Sequence, residues 1–190
     1  MIRLKNDDQI AAIRKSCHEL ADLFNEIIPR VKPGVSTKEI DDWCVDFIRK
    51  HGGKPAWHSE GFPGAACISI NEQVIHGVPS KKVFVEDGDL VSLDIGINLN
   101  GYISDSTHTV MVGNVAKEHQ KLVRVTRECL AAGIQACVRG NRISDISNAV
   151  YDIAYKQNGY GVVYEYCGHG VGLDVHEDPS IANCPSRGPN

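Results

Sequence analysis

The stretch Leu90 to Val112, LVSLDIGINLNGYISDSTHTVMV, leaves the chain few options. Asn100-Gly101 sits midway between two β-prone runs. A two-residue type I′ turn needs φ > 0 at both central positions, which Asn-Gly adopts at little cost, so the segment is expected to be a β-hairpin. The turn also sets the register. With Leu99 opposite Tyr102, Asp94 falls opposite Thr107 and Asp105 opposite Gly96, which makes the two acids diagonal neighbours on one face, roughly 7–8 Å apart at the backbone. Two like charges on a largely apolar hairpin repel and lose hydration unless a cation, a shared proton or a basic partner compensates them. A pair of metal ions about 3.5–4 Å apart fits that spacing. The alternative is that one Asp caps a turn or that both face water, and a bulge would break the register.

The 190 residues are 42% hydrophobic and 23% charged, the balance of a soluble globular chain. A formal charge of −4 and a pI near 6.0 leave no basic footprint for nucleic acid or an anionic membrane. The start MIRLKNDDQIAAIRK has no apolar signal core, and no run approaches the ~18 apolar residues of a membrane span, so the expected location is the cytoplasm. The seven cysteines contain no C-x-x-C pair and read as reduced thiols, with Cys17 and Cys129 expected as small core residues.

Apolar residues from Ile10 to Ile28 recur at helical spacing behind Asn6-Asp7-Asp8, predicting a helix over roughly 7–29. Ser36-Thr37-Lys38-Glu39 is a capping box for a second helix ending at Gly52-Gly53. A Pro- and Gly-rich loop is expected from Lys54 to Gly64, then a short strand from Ala66 to Ile70. Helical spacing returns over Lys117 to Arg139 and again from Ser144 to Asn158-Gly159, before a strand-like Val162-Val163-Tyr164. The order is helix, helix, strands, used twice, and the second copy has no counterpart of the central hairpin. The expected fold class is therefore α+β, a pseudo-two-fold αα-ββ repeat with antiparallel sheet, in one incomplete domain with a first repeat of about 1–113 and a partial second of about 114–190.

Three histidines are candidates for chemistry. His76 lies in NEQVIHGVPS, where an imidazole is either a satisfied loop residue or a group facing the hairpin. His169 and His176 lie in CGHGVGLDVHEDP, where glycines on both sides of His169 permit a sharp turn and close approach, as a ligand requires, although a plain Gly-rich loop has the same composition. Taken together, CISINEQVIHGVP at 67–79, the Asp94 and Asp105 pair, and GHGVGLDVHEDP at 168–179 resemble the methionine aminopeptidases of the bacterial type (type I), a branch of the pita-bread metallopeptidases. The likeness runs along the whole chain. The NE-x-V-x-HG-x-P motif favours this branch over the related Xaa-Pro peptidases, which GLDVHEDP alone would also suit.

The resemblance implies a pita-bread (creatinase/aminopeptidase-like) fold and removal of the N-terminal methionine from nascent proteins. It implies two divalent metal ions, from among Mn, Fe, Co and Zn, with Asp94 on one, Asp105 bridging and His169 on the other. A metal-activated water is the implied nucleophile. His76 and His176 would hydrogen-bond the scissile amide and the developing oxyanion, and Phe62 and Cys67 would line the pocket for the methionine side chain. The implied partners are N-terminal methionines of nascent chains and the ribosome, with no nucleic acid or membrane. The full-length protein is expected to be a monomer, and the 190-residue chain to be open to self-association through unpaired strand edges.

One departure matters. The family carries two further ligand glutamates on C-terminal strands, the first in an I-E-P-like motif, and the sequence after Asn183 has neither; Glu165 and Glu177 stand at the wrong positions. CPSRGPN resembles the lead-in to that part, so the chain is expected to be truncated at Asn190 and to lack hydrolysis on its own. Two other readings stay open: a non-catalytic pita-bread module for binding peptides or proteins, and an Xaa-Pro aminopeptidase relative.

Overall fold

Asn6 starts helix α1 (Asp7–Ile27) by accepting the Gln9 amide while the Gln9 side chain takes the Asn6 N–H, a reciprocal cap like that of Ser36 and Glu39 at α2 (Thr37–Lys50). In the computed structural model, which describes residues 1–185, the chain divides into two compact units. One comprises Arg3–Ala116 with Val171–Val175; the other comprises Met1–Ile2, Lys117–Gly170 and the described residues from His176 on.

In the first unit, β1 (Lys54–Pro55), β2 (Ala66–Ile70), β3 (Leu90–Leu99) and β4 (Tyr102–Met111) form an antiparallel sheet. β3 is central, with β4 along one edge and β2 and β1 in succession along the other. The loop expected over Lys54–Gly64 is thus partly ordered: Lys54 and Pro55 extend the β3 ladder opposite Asn98 and Ile97, and Ala56–Glu60 is a 3₁₀ turn. Pro55 is tolerated because it lies at an edge.

Side-chain alternation along β3 decides what faces where. Leu93, Ile95 and Ile97 are at most 2% exposed and join Ile68, Leu23, Ile27 and Ile40 in the main core with the helices. Burial of this kind stabilises by about 25 cal/mol per Å² of apolar surface. One polar seam crosses that core: the Ser16 hydroxyl lies 2.9 Å from that of Ser104 and donates to the Ile97 carbonyl at 3.1 Å, so no buried hydroxyl is orphaned.

In the second unit, α3 (Lys117–Ala136) and α4 (Ile143–Tyr151) approach closely at Gly133, where a Cβ would lie 3.3 Å from Val150 Cγ2. α3 stops at Ala136, short of Arg139, and the Asn141 side chain donates to the Ala136 carbonyl, which the helix end leaves without an intrahelical partner. The fourth helix reaches Asn158 only by widening into a π-helical turn over Asp152–Gln157. β5 (Cys167–Gly170) and β6 (Glu177–Ala182) form an antiparallel pair. The strand expected at Val162-Val163-Tyr164 is absent: Val162 instead lines, with Val125 and Ile146, an apolar cleft of about 480 Å³, which accounts for its hydrophobicity. Cys129 is buried as expected, whereas Cys17 is exposed, on the solvent side of its buried neighbour Ser16. No described helix is long and apolar enough to cross a membrane.

Candidate active site

The hairpin has the register that Asn100-Gly101 dictates. Both turn residues have positive φ, 55° and 89°, and Asp94 pairs with Thr107 while Asp105 pairs with Gly96. On its other edge Asp94 pairs with Cys67. Cys67, Asp94, Asp105 and Thr107 therefore share the face of the sheet turned away from the helices, and both carboxylates are half-buried there.

A small apolar cluster walls that face. Ala56, Trp57, Cys67, Ile103 and Val175 are buried in it, with Phe62 and Val171 packed alongside. The Trp57 indole N–H donates to the Asp94 carbonyl at 3.1 Å, which fixes the ring over the sheet. Gly96 makes the room: a Cβ there would lie 2.9 Å from Ala56 Cβ and 3.0 Å from Trp57 Cη2. A glycine in mid-strand opposite one of the two acids signals such a close approach in the sequence itself, whereas nothing in the sequence pointed to Trp57. Residues 171–175 close the cluster along the β4 edge, where the Ile103 amide donates to the Gly172 carbonyl at 2.7 Å.

The Cys67 thiol reports the local field. Burial, followed by the negative charges of Asp94, Asp105 and Asp41, pushes it up to about 12. It is a neutral thiol at physiological pH, suited to lining a pocket and not to nucleophilic attack. The same field is what a divalent cation would neutralise, so the carboxylate pair fits a hard or borderline metal ion.

His76 is held in an unusual conformation. It is exposed, its φ is +59°, and the next residue is fastened to β2 from both sides: the Ile68 amide donates to the Gly77 carbonyl at 2.8 Å, and the Gly77 amide donates to the Ser69 hydroxyl at 3.1 Å. Left-handed backbone at a non-glycine residue costs about 1–3 kcal/mol and persists only where its surroundings enforce it.

In the second unit, His169 lies on β5 opposite Ser180, just before a register shift at Gly170. Gly170 is required, since a Cβ would lie 2.6 Å from the Asp178 carbonyl oxygen, whereas Gly168 meets only ordinary contact at 3.4 Å. The His169 Nδ1 lies 2.9 Å from the Gly170 carbonyl, which can only accept, so Nδ1 is the donor in that contact. The rings of His169 and His176 are 4.3 Å apart. The structure thus groups Asp94, Asp105 and Cys67 in one unit and His169 with His176 in the other. Among the described residues no three His, Cys, Asp or Glu side chains are gathered as a metal site. The apolar cleft of the second unit contains neither His169 nor His176.

The model of Metallopeptidase family M24 matches residues 11–190. The chain is 63% identical over 191 residues to the methionine aminopeptidase of Treponema pallidum (strain Nichols), covering all of this chain and 74% of that protein. It superimposes on the crystal structure of methionine aminopeptidase from Thermotoga maritima with a TM-score of 0.95 at 34% identity, over 100% of this chain and 76% of that one. A prolidase from Pyrococcus furiosus shares the architecture at a TM-score of 0.84 and 28% identity, over 95% of this chain and 52% of that one. The fold is thus the pita-bread fold, and the chain belongs to the methionine aminopeptidases of metallopeptidase family M24.

Proposed function

We propose that this chain carries the substrate-facing and part of the metal-binding apparatus for hydrolytic removal of the initiator methionine from nascent proteins in the cytoplasm. The observation that supports this most directly is the pairing of Asp94 with Thr107 and of Asp105 with Gly96, which sets two half-buried carboxylates on one face of a sheet beside a cluster walled by Trp57 and Cys67.

In this reading Asp94, Asp105 and His169 hold two divalent ions drawn from Mn, Fe, Co and Zn. When bound, such ions polarise the scissile carbonyl and activate water. The protein's own groups do the rest. Phe62 and Cys67 offer an apolar wall to the methionine side chain. His76 and His176 hydrogen-bond the scissile amide and the oxygen on which negative charge develops, which orients the substrate and stabilises its transition state. The ribosome is the proposed site of encounter with the substrate.

An I-E-P-like motif is not present in these 190 residues, so the test supplies one. The chain is continued with the corresponding segment of the Treponema pallidum relative and assayed on Met-Ala-Ser and Met-Pro-Ser peptides with each of the four metals. Free methionine from Met-Ala-Ser, abolished by Asp105→Ala, supports the proposal. Cleavage confined to the Met-Pro bond indicates an Xaa-Pro peptidase, and no cleavage with any metal indicates a binding module.

A further inference from the structure

The loop that carries His76 is anchored at three places, and only one of them touches the backbone next to the histidine. At its start, the Asn71 side chain accepts the Leu90 amide at 3.0 Å and donates to the buried carboxylate of Asp89 at 2.8 Å. At its end, the Thr37 hydroxyl accepts the Ser80 amide at 2.9 Å and donates to the Ser80 carbonyl at 3.2 Å. Between these anchors, residues 72–76 are exposed or half-exposed.

The middle anchor is Ser69. Its side chain is buried, and its hydroxyl accepts the Gly77 amide at 3.1 Å while the Gly77 carbonyl accepts the Ile68 amide at 2.8 Å. The approach is so close that a Cβ on residue 77 would lie 2.0 Å from the Ile68 carbonyl oxygen, so only glycine fits. Gly77 is thus laid against the outer edge of β2, and the peptide that joins it to His76 is fixed in turn. Alternation places Ser69 on the same face of β2 as Cys67, the strand neighbour of Asp94.

We propose that Ser69 is a positioning residue for His76: by holding the Gly77 amide it keeps His76 in its left-handed conformation and so sets where the imidazole points. This rests on the reading of His76 as a substrate-binding group. Without the hydroxyl, a buried N–H loses its acceptor and Gly77 is left held to β2 by its carbonyl alone, so one of the two local restraints on positive φ at His76 is gone.

The test compares wild type, Ser69→Ala and Ser69→Thr in the 190-residue chain, by amide hydrogen exchange and by the ¹H–¹³C resonance of the His76 ring, assigned with His76→Gln. Ser69→Ala is expected to speed exchange of the Gly77 amide roughly tenfold or more and to split or broaden the His76 signal, with amides of the β3–β4 ladder unchanged. Ser69→Thr, which keeps the hydroxyl, restores both. Uniformly faster exchange across β2, β3 and β4 with a single unshifted His76 signal would make Ser69 a purely structural residue and overturn the proposal, as would no change at Gly77. These readouts are separate from peptide hydrolysis. A failed Met-Ala-Ser assay with a split His76 signal therefore refutes the functional reading and leaves the positioning role standing.

Discussion

Asp105 stands directly across the ladder from Gly96, and the missing side chain at Gly96 is what lets Trp57 lie beside that pair. A methyl group added there meets Ala56 Cβ at 2.9 Å and the Trp57 ring at 3.0–3.1 Å, all parts of a buried cluster with little freedom to move. Gly96→Ala is therefore expected to displace Trp57, break its bond to the Asp94 carbonyl and cost about 1–3 kcal/mol. Urea unfolding measures the loss, and a red shift in the emission of Trp57, recorded in a Trp43→Phe background, reports its cause. Unchanged emission would contradict the packing described.

Asp41 links helix α2 to the start of β2. Its side chain, in a residue only 3% exposed, accepts the Ala65 amide at 2.6 Å and the Ala66 amide at 3.2 Å, and Lys38 donates to its other oxygen at 3.1 Å. Asp41→Ala leaves two buried amides without acceptors and is expected to cost about 3–5 kcal/mol. Asp41→Asn, which can keep Oδ1 facing the amides, is expected to cost roughly half as much. Denaturant midpoints of the two variants decide this, and equal losses would mean that the Lys38 charge pair matters more than the amides.

The hairpin, its register and the pairing of its carboxylates were legible in the sequence because a two-residue Asn-Gly turn leaves one pairing and strand alternation does the rest. The Ser36–Glu39 capping box was legible for the same local reason. The anchoring of His76 by Ser69 was not, since a hydroxyl and an amide eight residues apart carry no periodic signal and meet only once β2 has docked on β3. Val162-Val163-Tyr164 misled because apolar residues that line a cleft and apolar residues that form a strand look alike over three positions. The exposure of Cys17 has a similar origin: it lies next to the buried Ser16, one step around the helix from the buried face.

Thiol chemistry separates the cysteines. Burial, the largest cause, and the charge of Asp41 push Cys44 from an ordinary value of 9.0 up to about 12, while Cys137 and Cys167 are exposed. At pH 8 a thiol reagent is expected to modify Cys137 and Cys167 quickly and Cys44 and Cys67 only on unfolding. Because the folded value of Cys44 is raised, its neutral form stabilises the fold fully below pH 9 and that contribution is lost as pH rises towards 12. Unfolding free energy measured from pH 8 to 11 should therefore fall less steeply in Cys44→Ala than in wild type. Parallel slopes would contradict the assignment.

The most direct test of the metal-site assignment is isothermal titration of Mn²⁺ into the 190-residue chain, alongside Asp105→Ala and His169→Ala. Saturable binding to wild type, weakened about tenfold or more in each variant, is the predicted result. Binding of undiminished affinity in Asp105→Ala, or no heat with wild type, would contradict the claim that the carboxylates of the hairpin and the imidazole of His169 hold metal in this chain.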